Sequence, residues 1–128
     1  MDFLLDTHTL LWYTTDDARL PGDLFGKIED PGNRIHLSHV SFWEIRIKNA
    51  IGKLALKVDL RSFIRQEIEP YGFILHSIRL EDIIEATSLP LHYRDPFDRL
   101  LIAQSKVEKL PIISSDSVFD LYGIERVW

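Results

Sequence analysis

The feature that most restricts this chain is a set of short, wholly apolar runs separated by longer segments with helical spacing. Phe3-Leu4-Leu5 is the first run and closes on Asp6. Pro111-Ile112-Ile113-Ser114 is another, and Asp116 follows it closely. Runs of this kind read as short buried strands, and strands that alternate with helices indicate an α/β sandwich around a mainly parallel sheet. Strands are expected over 2–5, Ile35–Ser38, Phe73–His76, Ile112–Ser114 and Ile124–Val127.

Between them, helices are expected at Thr7 to about Thr15, Gly22–Asp30, Ser41 to about Gly52, Asp59–Glu69, Leu80–Ser88, Asp95 to about Lys109 and Ser117–Leu121. Asp30-Pro31-Gly32-Asn33 marks a turn. Val40, Trp43, Ile47, Ala50 and Ile51 recur at helical spacing and predict the inward face of the third helix. Leu80, Ile83 and Ile84 are expected inward on the fifth. The start of the sixth, Leu100-Leu101-Ile102-Ala103, is apolar nearly all round and reads as buried on several sides.

With 128 residues, 45% of them hydrophobic, the chain fits one domain spanning 1–128 and can bury a core without staples. It has no cysteine, which excludes disulfides and thiolate zinc sites and fits a reducing cytoplasm. No apolar stretch is long enough to span a bilayer, and the start lacks the pattern of a signal peptide, so a cytoplasmic, soluble protein is expected, with no membrane association. The net charge of −5 argues against a nonspecific nucleic-acid coat, though not against a nuclease whose own carboxylates lower it. Arg46, Lys48, Lys53, Lys57, Arg61 and Arg65 cluster in mid-chain, either as a solvated surface or as a phosphate-binding face.

Four acids stand at junctions. Asp6 and Asp116 follow strands, at the edge of a parallel sheet where ligands bind. Glu44 lies on the apolar stripe of its helix, where a lone charge is costly. Asp98 precedes Leu101 and Ile102 at inward spacing. Each also has a structural reading. Asp6, Asp95 and Asp116 can cap helices, Asp98 suits the positive end of its helix dipole, and Ser41–Glu44 has the spacing of a capping box. Four carboxylates at one pocket would repel one another, and a hard divalent cation removes that conflict while supplying charge against a phosphate.

These residues, in this order, resemble the PIN domain family, and more closely its VapC-like toxins of toxin–antitoxin pairs. The resemblance rests on Leu4-Leu5-Asp6-Thr7-His8, on Ser41-Phe42-Trp43-Glu44-Ile45, on the long run from Leu89 through Asp95-Pro96-Phe97-Asp98-Arg99 to Gln104, and on Ser114-Ser115-Asp116. It implies a three-layer α/β/α sandwich with a central, mainly parallel sheet of about five strands. It implies a Mg²⁺- or Mn²⁺-dependent endoribonuclease in which Asp6, Glu44, Asp98 and Asp116 are the catalytic, metal-holding quartet, with Asp6 and Asp98 the foremost ligands. Ser114, and Thr7 similarly, would orient Asp6 or a water. The implied partners are an RNA substrate and a cognate antitoxin, and a homodimer is expected. Two other readings are weighed: a PIN-like binding module without catalysis, and a Mg²⁺-dependent phosphoacceptor receiver domain.

Arg99, beside Asp98, is expected to pair with an acid of the site, with contact to RNA phosphate as the alternative. His8, His36, His39, His76 and His92 show no metal-ligand spacing and are expected at the surface or in packing, like Trp12, Tyr13 and Trp43.

Overall fold

The computed structural model describes residues 1–128. In chain order the elements are β1 (Asp2–Leu5), α1 (Thr7–Thr14), α2 (Gly22–Glu29), β2 (Arg34–Ser38), α3 (His39–Ala50), α4 (Leu60–Glu67), β3 (Ile74–His76), α5 (Leu80–Ser88), α6 (Pro96–Glu108), β4 (Ile112–Ile113) and β5 (Arg126–Val127). Short 3-10 turns cover Glu69–Tyr71 and Ser117–Tyr122. All five strands pair in parallel, in the order β3-β2-β1-β4-β5.

Alternation along β1 shows why helices cover both faces. Phe3 and Leu5 point into one apolar cluster, with Leu10 of α1, Leu24 and Ile28 of α2, and Phe63 of α4. Leu4 points into a second cluster, with Ala86 of α5 and Leu100 to Ala103 of α6. β4 divides the same way, Ile113 to the first and Ile112 to the second. Strands buried on both faces need continuous apolar runs, which the sequence supplies. The result is the three-layer α/β/α sandwich expected.

Two helices are rotated from their expected orientation. On α3 the buried residues are Val40, Ser41, Phe42, Glu44 and Ile45, whereas Trp43, Ile47 and Ile51 are exposed. α3 also begins earlier than expected. Ser38 is its N-cap, accepting from Val40 N at 3.1 Å, so Ser41 lies inside the helix and no Ser41–Glu44 capping box forms. On α5, Leu80, Ile83 and Ile84 face solvent, while Asp82 and Ala86 are buried. Asp82 turns this helix inward. Its carboxylate accepts from Arg79 N at 2.9 Å, which caps α5, and from Gln104 Nε2 of α6 at 3.2 Å.

His36 also departs from a simple packing role. It is buried on β2, with its ring nitrogens 2.6 Å from His76 Nε2 and 2.8 Å from Asp2 Oδ1. No helix is long and apolar enough to cross a membrane.

Candidate active site

Chain direction across the sheet changes between β1 and β4. β2 and β3 lie to one side of β1, whereas the later β4 and β5 lie to the other. At such a switch point, loops leaving adjacent strands diverge and leave a crevice at the carboxyl edge. Leu5 is in register with Ile113, so the next residues, Asp6 and Ser114, face each other across that crevice.

Asp6 is buried, and both of its oxygens are held. Oδ1 accepts from Thr9 N at 2.7 Å, capping α1, and Oδ2 accepts from the Ser114 hydroxyl at 2.5 Å. The Ser114 oxygen accepts in turn from Asp116 N at 3.0 Å. One hydroxyl therefore ties the ends of β1 and β4 together. Asp116 caps the following 3-10 turn through Val118 N at 3.0 Å and accepts a hydrogen bond from the Tyr93 hydroxyl. Glu44, on the buried face of α3, is 2% exposed. Its Oε1 accepts from the Thr7 hydroxyl at 2.7 Å, and its Oε2 pairs with Lys48 one turn on. Thr7 thus braces Glu44 rather than Asp6. Asp98 stands in the first turn of α6, behind the Asp95 cap and Pro96, and has neither an ion-pair nor a hydrogen-bond partner.

The four acids line one depression of ≈ 340 Å³, together with His8, Trp12, Lys48, Ser115 and Phe119. A longer groove, ≈ 810 Å³, runs between α1 and the 53–58 segment and shares His8, Trp12, Glu44 and Lys48 with it. Of the mid-chain basic residues, Lys48, Lys53 and Lys57 line this groove, whereas Arg61 and Arg65 line a separate hollow on α4.

Negative charge is incompletely balanced here. Burial, then the carboxylates of Asp95, Glu44 and Asp6, push Asp98 up to about 7, against the opposing pull of Lys48. Burial also raises Asp6, although its bonds from Ser114 and Thr9 oppose the shift. The donor set is all oxygen, which suits a hard divalent cation. No three of these side chains lie close enough together to enclose an ion. A Mg²⁺ ion that keeps most of its waters needs only one or two carboxylates, so the residues fit such an ion in this less demanding form.

Three contacts were not anticipated from the sequence. Arg99 pairs with no acid; its guanidinium donates instead to four backbone carbonyls, those of Ala86, Leu89, Pro90 and Tyr93. Tyr93 reaches Asp116 across 23 positions of sequence, and no local pattern announces that contact. Lys48 had a signal, since a glutamate followed four residues later by lysine is a standard helical ion pair.

Ser114→Ala is expected to destabilise the protein by about 2 kcal/mol, because it leaves a buried carboxylate oxygen and Asp116 N without their partner. Chemical denaturation measures this. An unchanged unfolding midpoint would show that water replaces the hydroxyl.

The PIN domain family model matches residues 3–125. No curated protein sequence matches the chain. Among solved structures, VapBC2 from Rickettsia felis, bound to a DNA fragment from its promoter, superposes with a TM-score of 0.73 at 11% identity, over 99% of this chain and 98% of that one. VapBC-5 from Mycobacterium tuberculosis, a member of the VapBC family of toxin–antitoxin systems, gives 0.62 at 18% identity, covering 98% and 97%. A toxin–antitoxin complex from Klebsiella pneumoniae gives 0.58 at 16%, covering 90% and 87%. At these identities the likeness is one of fold.

Proposed function

The chain belongs to the PIN domain family, and from that premise we propose that it is a divalent-metal-dependent endoribonuclease and the toxin of a toxin–antitoxin pair. The observation that carries the nuclease reading is the convergence of Asp6, Glu44, Asp98 and Asp116, from four separated segments, on one depression at the sheet's switch point. Family membership removes the receiver-domain reading. The toxin reading draws on the three structural neighbours, which are VapBC or toxin–antitoxin assemblies by description.

When bound, Mg²⁺ or Mn²⁺ supplies positive charge against a phosphate and lowers the pKa of a water. The chain's own groups do the rest. Asp98 and Asp6 would hold the ion, Asp98 because no other group claims its oxygens and Asp6 because Ser114 and Thr9 fix its orientation. Asp116 and Glu44 would hold it directly or through water. A water would attack the RNA phosphorus in line as the P–O3′ bond breaks, one acid of the site taking the water's proton and the departing O3′ taking up a proton from solvent, to leave a 5′-phosphate and a 3′-hydroxyl. The proposed partners are an antitoxin and a second copy of the chain, and the uncovered apolar faces of α3 and α5 offer surface for them.

The test maps cleavage sites on total RNA after brief expression, with Asp6→Asn as control. Discrete new 5′ ends are expected with the unsubstituted protein and none with the variant. Identical maps from both would defeat the assignment, and no cleavage from either, with purified protein and Mn²⁺, would favour a silent binding module. A second expectation is thermal: Mn²⁺ raises the melting temperature at pH 8, since it relieves carboxylate repulsion in the folded state alone. No shift at millimolar Mn²⁺ would count against a metal site.

A further inference from the structure

Lys48 is the only lysine or arginine lining the acidic depression, and it sits where that depression opens into the long groove. Its ammonium is bonded to Glu44 Oε2, while the Thr7 hydroxyl holds Oε1. Both oxygens of Glu44 are therefore engaged. A carboxylate only 2% exposed is too costly to leave charged without such a partner.

We propose that Lys48 is a built-in counter-ion that takes the place of the divalent cation at Glu44, so that metal entry must break the Lys48–Glu44 pair and displace the ammonium. This inference rests on the metal-site reading above. It follows from charge and position: two cations cannot share one buried carboxylate oxygen without strong repulsion, and the lysine already occupies the wall of the depression. The stem of Lys48 is flexible, and its side chain is 31% exposed on the groove side, so the displaced ammonium has water and groove to move into. The lysine thus keeps Glu44 ordered before metal arrives and weakens metal binding while it does so.

The experiment measures Mn²⁺ binding by calorimetry, without RNA, for the unsubstituted protein, Lys48→Met, Lys48→Gln and Lys57→Met. Lys57 is an exposed lysine of the same groove and serves as the control for loss of one positive charge. Lys48→Met and Lys48→Gln are expected to bind Mn²⁺ at least fivefold more tightly, and Lys57→Met within twofold of the unsubstituted protein. The metal-free melting temperature falls in the Lys48 variants, and Mn²⁺ raises it by more than in the unsubstituted protein. A lysine that merely braced the fold would give equal or weaker binding, and either result overturns the counter-ion role. An equal gain in Lys57→Met also overturns it, since net charge alone would then explain the change. No Mn²⁺ binding by any of the four removes the metal site itself and this inference with it. Binding that is unchanged by Lys48 substitution but lost in Asp98→Asn defeats the inference and leaves the site standing. Gln retains a polar contact to Glu44, so it keeps the test open should Met prevent folding.

Discussion

Asp98→Asn is expected to abolish RNA cleavage and, at the same time, to raise the melting temperature of the metal-free protein at pH 8. The two effects have one origin. Asp98 is pushed up to about 7 by burial and by the carboxylates around it, and no bonded partner compensates. In the unfolded chain a carboxyl of this kind titrates near the ordinary aspartate value, 3.8. Between those values the unfolded state has released a proton that the folded state keeps. Stability therefore falls as pH rises from about 4 to about 7, and the full loss persists above that. At ~1.36 kcal/mol per unit, the loss is roughly 4 kcal/mol at most. Asparagine is neutral throughout, so the variant lacks this slope. Its melting temperature is expected to fall less from pH 5 to pH 8 than that of the unsubstituted protein, Asp6 keeping a slope of its own, and to exceed it at the upper end. Its place in the first turn of α6 costs the variant a smaller amount, about 0.3–1 kcal/mol, through the helix dipole. Mn²⁺ should restore the unsubstituted protein's stability and leave the variant unchanged. Cleavage should drop on the order of 10³-fold, since metal-held charge is worth several kcal/mol in the transition state. Ordinary cleavage by the variant would remove Asp98 from the site. A metal-free variant less stable at pH 8 than the unsubstituted protein would show that Asp98 serves the helix and not a cation.

The acids were legible because each lies next to something local. Asp6 and Asp116 follow apolar runs, which puts them at the carboxyl edge of the sheet, and Asp98 follows a proline helix start, which puts it in the first turn of its helix. Element boundaries followed from the same punctuation: Gly72 and Gly123 adopt φ of 71° and 70° where a helical turn must reverse. Helix rotation was harder to read. On α3, Trp43 and Ile47 outrank Ser41 and Glu44 as core candidates by hydrophobicity, yet the polar pair is inside. Burial is tolerable there because Thr7, from another element, and Lys48 satisfy Glu44. On α5, Asp82 displaces three large apolar residues from the interior for the same reason, through Arg79 and Gln104. In both helices a bond across the fold decided which face turned inward, and periodicity carries no record of such bonds.

Arg99 is the clearest instance, and it leads to the second large expected effect: Arg99→Met should lower stability by about 3 kcal/mol and the melting temperature by about 10 °C. Nη2 donates to Ala86 O at 2.7 Å and Leu89 O at 2.9 Å, at the end of α5. Nη1 donates to Pro90 O at 2.9 Å and Tyr93 O at 3.1 Å, in the loop beyond. A planar, permanently charged fork thus closes a helix C-terminus, where carbonyls lack partners and a cation is favoured. Methionine keeps much of the apolar stem and deletes the fork. Lysine is expected to recover little, because one ammonium cannot reach four carbonyls in this geometry. The loop backbone is also anchored by the Tyr122 hydroxyl, which accepts from Tyr93 N at 2.6 Å and donates to Pro90 O at 3.0 Å. Loss of Arg99 therefore loosens the loop without freeing it, and Tyr93 should lose its fixed position on Asp116. Activity should fall while Mn²⁺ affinity at Asp98 and Asp6 is largely kept, because neither acid touches this loop. Thermal unfolding and metal titration of the same sample separate the two effects. If Arg99→Met melts within a degree of the unsubstituted protein, water serves the four carbonyls as well as the guanidinium does. The loop would then be held by Tyr122 and by the Tyr93–Asp116 bond, and Arg99 would be free for the acid or phosphate contact that its position beside Asp98 suggests.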